Sequence, residues 1–183
     1  MSYTHLQIAL ASIEAGQIDV ALEEIEQHLA ESPLDPEGLR VRAAILARFQ
    51  GRETDALHSL DALAHPTSED HLLRARLYEQ LGDFDAALWV IERLWQVTHQ
   101  PTHAQGVARL LLKRGDAARA LRFIDTLPDA PTWHIWRGDC HEALGQSSAA
   151  ISEYQIALER LPDDPFLVPV RTVLQEKIAR LSA

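Results

Sequence analysis

Gly16, Gly51, Gly82, Gly115 and Gly145 are each followed, five residues later, by an alanine: Ala21, Ala56, Ala87, Ala120 and Ala150. Successive glycines stand 35, 31, 33 and 30 residues apart. A period in this range marks an array of stacked supersecondary units and not a single closed globule. Each unit of such an array leans on its neighbours, so the chain counts as one elongated domain although its 183 residues would allow one or two ordinary ones.

The residues around each glycine define the unit. His71 to Leu81 precede Gly82 and Phe84 to Val97 follow it, and both stretches carry helical periodicity. A glycine permits the left-handed backbone that ends one helix, and Asp83 or Asp116 directly after it can cap the next. Two helices per unit follow. Seven residues before the glycines stand Ala9, Ala44, Ala75, Ala108 and Gly138. With the five alanines this makes ten small residues at facing positions, which let two antiparallel helices approach closely. Pro36, Pro101, Pro131 and Pro165 mark further helix starts, because proline's missing N–H costs nothing in a first turn. In the fourth unit, Leu127-Pro128-Asp129-Ala130-Pro131 ends the second helix about a turn early. Val170 to Leu181 reads as an amphipathic helix that caps the apolar face of the last unit.

Composition narrows the setting. The chain is 46% hydrophobic but only 6% aromatic, as expected of a soluble helical protein. The start from Met1 to Leu6 lacks the basic, apolar and small-residue signature of a secretory signal, and no apolar run approaches the ~18 residues of a membrane span. One cysteine, Cys140, excludes an intrachain disulfide and fits a reducing compartment, so a cytoplasmic location is expected. A net charge of −10 opposes binding to nucleic acid. Of the 17 cationic residues only Lys113 and Lys177 are lysines, a skew that the codon usage of a GC-rich bacterial genome explains without any functional cause.

On these residues the chain resembles the tetratricopeptide repeat family. The best match is Leu144-Gly145 with Ala149-Ala150-Ile151, Tyr154, Ala157-Leu158 and Pro162, and the run from Leu77 to Leu88 is nearly as close. The resemblance covers roughly residues 2 to 163 as five repeats. It implies an all-α, right-handed superhelical solenoid of five antiparallel helix pairs over residues 1–163, closed by a C-terminal capping segment, 164–183. It also implies that the first helices line a concave groove in which a partner segment is held. Arg74 and Arg137 depart from the pattern, since the family places a large apolar residue eight before the glycine. Those two sites are expected to pack poorly or to pair with acids.

Positions ten, six and three before each glycine share one helix face, roughly opposite the packing face. In the first two units they are Leu6, Leu10 and Ile13, then Val41, Ile45 and Arg48, with Phe49 beside them. The third and fourth units give Leu72, Arg76 and Glu79, then Gln105, Arg109 and Leu112, with Lys113 adjacent; the fifth gives Ile135, Asp139 and Glu142. If these line a groove, its character runs from apolar through basic to acidic. Its partner would be a protein or peptide with apolar and acidic character, with Arg48, Arg76, Arg109 and Lys113 as anion contacts and Leu6, Leu10, Ile13, Val41, Ile45 and Phe49 as apolar contacts. The expected role is a non-enzymatic adaptor. Two alternatives stay open: the N-terminal repeats bury Leu6, Leu10, Val41 and Ile45 against each other while the arginines pair with acids, or the apolar end serves self-association or permanent assembly. Family members that clamp chaperone C-termini use lysines with asparagines, and this chain has no asparagine.

Other constellations carry little. His99 with His103 and His134 with His141 are spaced so as to meet, yet no Cys/His cluster accompanies them, so no metal is expected. Cys140 falls on the packing face, where a small buried residue is the natural reading. Arg137-Gly138-Asp139 spells an adhesion tripeptide inside a helix that cannot present it. No phosphate loop, Ser-His-acid arrangement or catalytic carboxylate pair occurs, so neither an enzymatic activity nor a cofactor is expected. Trp89 falls on the outer face of a second helix, where an aromatic residue can anchor a partner.

Overall fold

The structure, a computed structural model, describes residues 4–49 and 51–183. Met1 to Tyr3, part of the start read above for a secretory signal, and Gln50 lie outside the described residues. Helices α1 (His5–Glu14) and α2 (Ile18–Glu31) form the first hairpin, α3 (Pro36–Leu46) and α4 (Glu53–Asp61) the second, and α5 (Ser68–Gln80) and α6 (Phe84–Thr98) the third. The fourth consists of α7 (Pro101–Lys113) and α8 (Ala117–Ile124), and the fifth of α9 (Pro131–Ala143) and α10 (Ser147–Arg160). A 3-10 turn, Pro165–Leu167, leads into the last helix, α11 (Val168–Leu181). Pro165 therefore opens this short turn, not the capping helix itself. Two compact units result, Met1–Val97 with the first three hairpins and Thr98–Ala183 with the last two and α11. Among the described residues no helix is long and apolar enough to cross a membrane.

All five glycines have positive φ, from 72° at Gly145 to 87° at Gly115. Around Gly16 the chain closes the helix end with two bonds: the Gly16 N–H donates to Ile13 O at 3.0 Å and the Gln17 N–H to Ser12 O at 2.8 Å. The same pair recurs at Gly82, Gly115 and Gly145, satisfying carbonyls that a helix end leaves open. Asp83 and Asp116 then accept from the N–H groups of Ala86 and Arg119 at 3.0 and 3.1 Å, starting α6 and α8. The second hairpin differs. Its first helix is capped at Ala47, four residues before Gly51 where the others are capped one before, and its buried small residue, Ala43, stands eight before that glycine instead of seven, so counting back from the glycine misplaces the packing face of α3 by one residue.

That offset corrects one expectation. Nine of the ten small positions are buried, but Ala44 is exposed and Ala43 is fully buried in its place. The shift puts Ile45 at the level of Leu77, Leu110 and Cys140, all of them buried. The face of α3 equivalent to that of its neighbours is thus Arg40, Ala44 and Ala47, and not Val41, Ile45 and Arg48. A short second helix appears twice, at α4 as well as at the expected α8.

Close approach is tightest in the fifth hairpin. Tyr154 of α10 is fully buried against Gly138 of α9, where a Cβ would lie 2.3 Å from the tyrosine Cε1. Ala150, Ala157 and Leu174 of α11 complete this core, so α11 covers the apolar face of the last hairpin. Gly138→Ala should therefore cost ~2–3 kcal/mol through overpacking. Gly115→Ala, with nothing within 4 Å of the added Cβ, should cost only the ~1 kcal/mol of a left-handed alanine. Denaturant unfolding of both variants checks the pair; equal losses would contradict the role given to Gly138.

Candidate functional site

Arg40, Arg42 and Arg74 tie neighbouring hairpins of the first unit together. Arg42 donates to Glu26 of α2 at 2.7 Å and to the Ser59 hydroxyl at 2.8 Å. Arg74 reaches Asp61 at 3.1 Å and the Leu60 carbonyl at 3.0 Å, and Arg137 of the second unit reaches Asp125 at 2.9 Å. Once the offset of α3 is allowed for, all three stand eight before their glycine, and each grips an acid at or near the second helix of the preceding hairpin. The fourth hairpin has the fully buried Val107 there. Arg74 and Arg137 thus pair with acids, at the cost of one buried group, Arg74 Nε, without a hydrogen-bond partner.

Asp70 shows how firmly such pairs are held. It closes a capping box with Thr67 and accepts from Arg40 Nε at 3.0 and 3.1 Å. Burial by itself would raise its carboxyl; hydrogen bonds from the Thr67 N–H, Arg40 and the Thr67 hydroxyl outweigh that and hold it below the usual carboxylate range.

Arg48 and Arg76 are different. Both are exposed, and neither has an ion pair among the described residues. Arg48 lines a cavity of about 330 Å³ together with Ala47, Phe49, Glu53 and Gln80. Gln80 lies one turn beyond Arg76 on α5, so these two side chains share a face. The cavity thus joins a guanidinium, an amide and an aromatic wall, with a second guanidinium one turn away. Glu53, the acid in the lining, accepts from the Gly51 N–H at 3.2 Å. Gln80 and Glu53 escaped the sequence reading, although the four-residue step from Arg76 to Gln80 was there to be counted.

The apolar positions fall largely in the core. Ile45, 2% exposed, joins Ala9, Ala21 and Ile25 in a cluster on which Leu6, Ile13, Val41 and Phe49 pack. Burial of Ile45 leaves it no surface to offer, whereas Leu10 remains 37% exposed. In the second unit Arg109 and Lys113 already interact with other groups of the chain. Asp139 and Glu142, the acidic end of the stripe, are taken up by α11. Lys177 Nζ lies 2.5 Å from Asp139, and Arg180 donates to Glu142 at 2.5 Å. The Tyr154 hydroxyl donates to Asp139 at 2.7 Å, with Glu142 2.9 Å away. Burial opposes ionisation of Glu142, but the Arg180 and Tyr154 hydrogen bonds and the Lys177 charge keep its carboxyl below the ordinary range.

Two further polar pairs are local supports. His5 bonds Glu24 at 2.7 Å, and His134 bonds Glu153 at 2.7 Å. Each histidine stands eleven before its glycine and each glutamate eight after it, a repeat of contact that no single-helix pattern exposes. The Glu24 hydrogen bond raises the His5 pKa. Cys140 is fully buried, and burial, helped by Asp139 and Asp125, pushes its thiol up to about 12. Among the described residues no group of three or more His, Cys, Asp or Glu could hold a metal ion.

A family model described as tetratricopeptide repeat matches residues 107–165, most of the fourth hairpin and all of the fifth. MamA is similar in structure at 17% identity and a TM-score of 0.71, over 85% of this chain and 89% of that one. YrrB, described as a TPR protein with an unusual peptide-binding site, aligns at 11% identity and a TM-score of 0.67, over 92% and 90%. A thermophilic TPR protein of Thermus thermophilus aligns at 20% and 0.54, over 97% of each chain. At these identities the likeness is one of fold. No curated protein matches the chain in sequence.

Two outcomes follow from the polar packing. The carboxyls of Asp70 and Glu142 sit below their unfolded values, so the stability they add is present above the unfolded carboxylate range, about pH 4, and is lost as pH falls through the folded pKa. Asp70→Asn should destabilise by ~1–3 kcal/mol at neutral pH, and the gap from the parent should shrink by about pH 3; a constant gap would contradict the Arg40 pairing. Cys140 should resist a thiol reagent in the native protein and react fully in denaturant, and prompt native labelling would show that α9 does not pack as described.

Proposed function

We propose that the chain is a non-enzymatic adaptor of the tetratricopeptide repeat kind, which binds a partner protein segment bearing a carboxylate near the C-terminal ends of its first helices α3 and α5 in the first unit. The observation that carries this reading is the division among the arginines of that unit. Arg40, Arg42, Arg52 and Arg74 are spent on Asp70, Glu26, Asp55 and Asp61. Arg48 and Arg76 face solvent; Arg48 lines a cavity with Phe49 and Gln80, and Arg76 stands one turn before Gln80 on α5.

A guanidinium pairs well with a planar carboxylate because two parallel hydrogen bonds form at once. Phe49 and the exposed Leu10 offer apolar surface to a neighbouring aliphatic side chain of the segment. Arg109 and Lys113 on α7 are the corresponding anion contacts of the second unit. There a segment must compete with the groups these two side chains already meet. YrrB, described by its peptide-binding site, is a structural precedent for peptide recognition on this fold. Permanent assembly through the N-terminal apolar residues is the weaker alternative, because Ile45 is core and Leu6, Ile13 and Val41 pack against its cluster.

Selection from a random peptide display library on the immobilised chain should enrich sequences with a carboxylate beside a large aliphatic residue. Arg76→Glu and Arg48→Glu should each weaken the selected peptide ~10-fold or more, with a shallower salt dependence and no change in thermal unfolding. Affinity unchanged in both variants would overturn the assignment of these two arginines.

A further inference from the structure

Hairpin packing leaves one aromatic ridge of the first unit facing water. Trp89, Arg93 and Val97 of α6 recur at four-residue steps and form one ridge on the helix surface. Trp89 is 60% and Val97 82% exposed. The Arg93 guanidinium stands 5.2 Å over the indole, a cation–π arrangement. Its charge also reaches His71 of α5. Tryptophan and arginine together are the composition of an interface hot spot, and this pair lies on a second helix, away from the first-helix face assigned to the partner segment.

The complementary surface occurs in the same chain. No lysine or arginine precedes Arg40, and of the eight acids that do, Glu24, Glu26, Glu31 and Asp35 face His5, Arg42 or His28, whereas Glu23 is exposed. On α2, Glu23 and Gln27 continue a four-residue ridge, both exposed, with Val20 beside them at 43% exposure. Ridges of this pitch interdigitate when two helices cross. We propose that the outer face of α2 from a second copy of the chain docks on the α6 ridge, with Glu23 against Arg93 and Val20 against Trp89. The two surfaces differ, so the contact is heterologous, and every copy carries one of each.

Sedimentation velocity of the intact chain over a concentration series tests this. The average mass should rise with concentration, and the association should weaken ~10-fold or more in high salt. Trp89→Ala, Arg93→Glu and Glu23→Arg should each weaken it ~10-fold or more, with the circular dichroism of the parent retained. Mixing the Arg93→Glu chain with the Glu23→Arg chain should restore an association that neither shows alone. A monomer at every concentration, association indifferent to these substitutions, or a mixture no stronger than its components would each overturn the proposal. Binding of the selected peptide by the Trp89→Ala chain reads the first-helix face separately; a monomeric parent whose peptide binding depends on Trp89 would assign the ridge to a foreign segment instead.

Discussion

The whole arrangement depends on a helix end that only glycine forms cheaply. A left-handed residue, followed by two backbone bonds back into the last turn, closes four of the five hairpins in the same way. That closure aligns the small residues of the two helices, and their contact brings the backbones close. Only then does a side chain eight before the glycine come within reach of the preceding hairpin. The inter-hairpin ion pairs of Arg42, Arg74 and Arg137 are in this sense consequences of the turn.

The same chemistry serves two ends, depending on what surrounds it. An arginine held beside an acid of the neighbouring hairpin is a structural strut, and its removal would strand a carboxylate. Arg48, just beyond the end of α3, and Arg76 on α5 are exposed and have no ion pair among the described residues, so in the proposed role their charge is left for an incoming anion. The second unit shows what happens when that face is filled from within: Lys177 and Arg180 of α11 neutralise Asp139 and Glu142, while Tyr154 ties both acids to the core. Negative charge that looked like the far end of a binding surface is instead the anchorage of the capping helix.

Much of this was legible in the chain. The glycine–alanine register identified the hairpins, and the prolines at 36, 101 and 131 located three helix starts. The reading failed at Gly51 because that turn holds an additional residue, and nothing local to α3 distinguishes Ala43 from Ala44. The error propagated to Val41 and Ile45, so core residues were read as groove, and it took Arg48, which lies beyond the end of α3, for a residue of that helix face. The His5–Glu24 and His134–Glu153 pairs and the clamp of α11 on α9 stayed hidden for another reason. Each joins residues 19 or more apart in sequence, and only the relative rotation of two helices decides whether such residues meet.

The central claim is that arginines of one chain divide into struts and contacts, and the side-chain Nε–H signals of the arginines in an NMR titration test it most directly. Adding a carboxylate-bearing peptide selected on the chain should shift Arg48 and Arg76 in proportion to occupancy while Arg42, Arg74 and Arg137 stay in place. Shifts confined to the paired arginines, with Arg48 and Arg76 unmoved, would contradict the account.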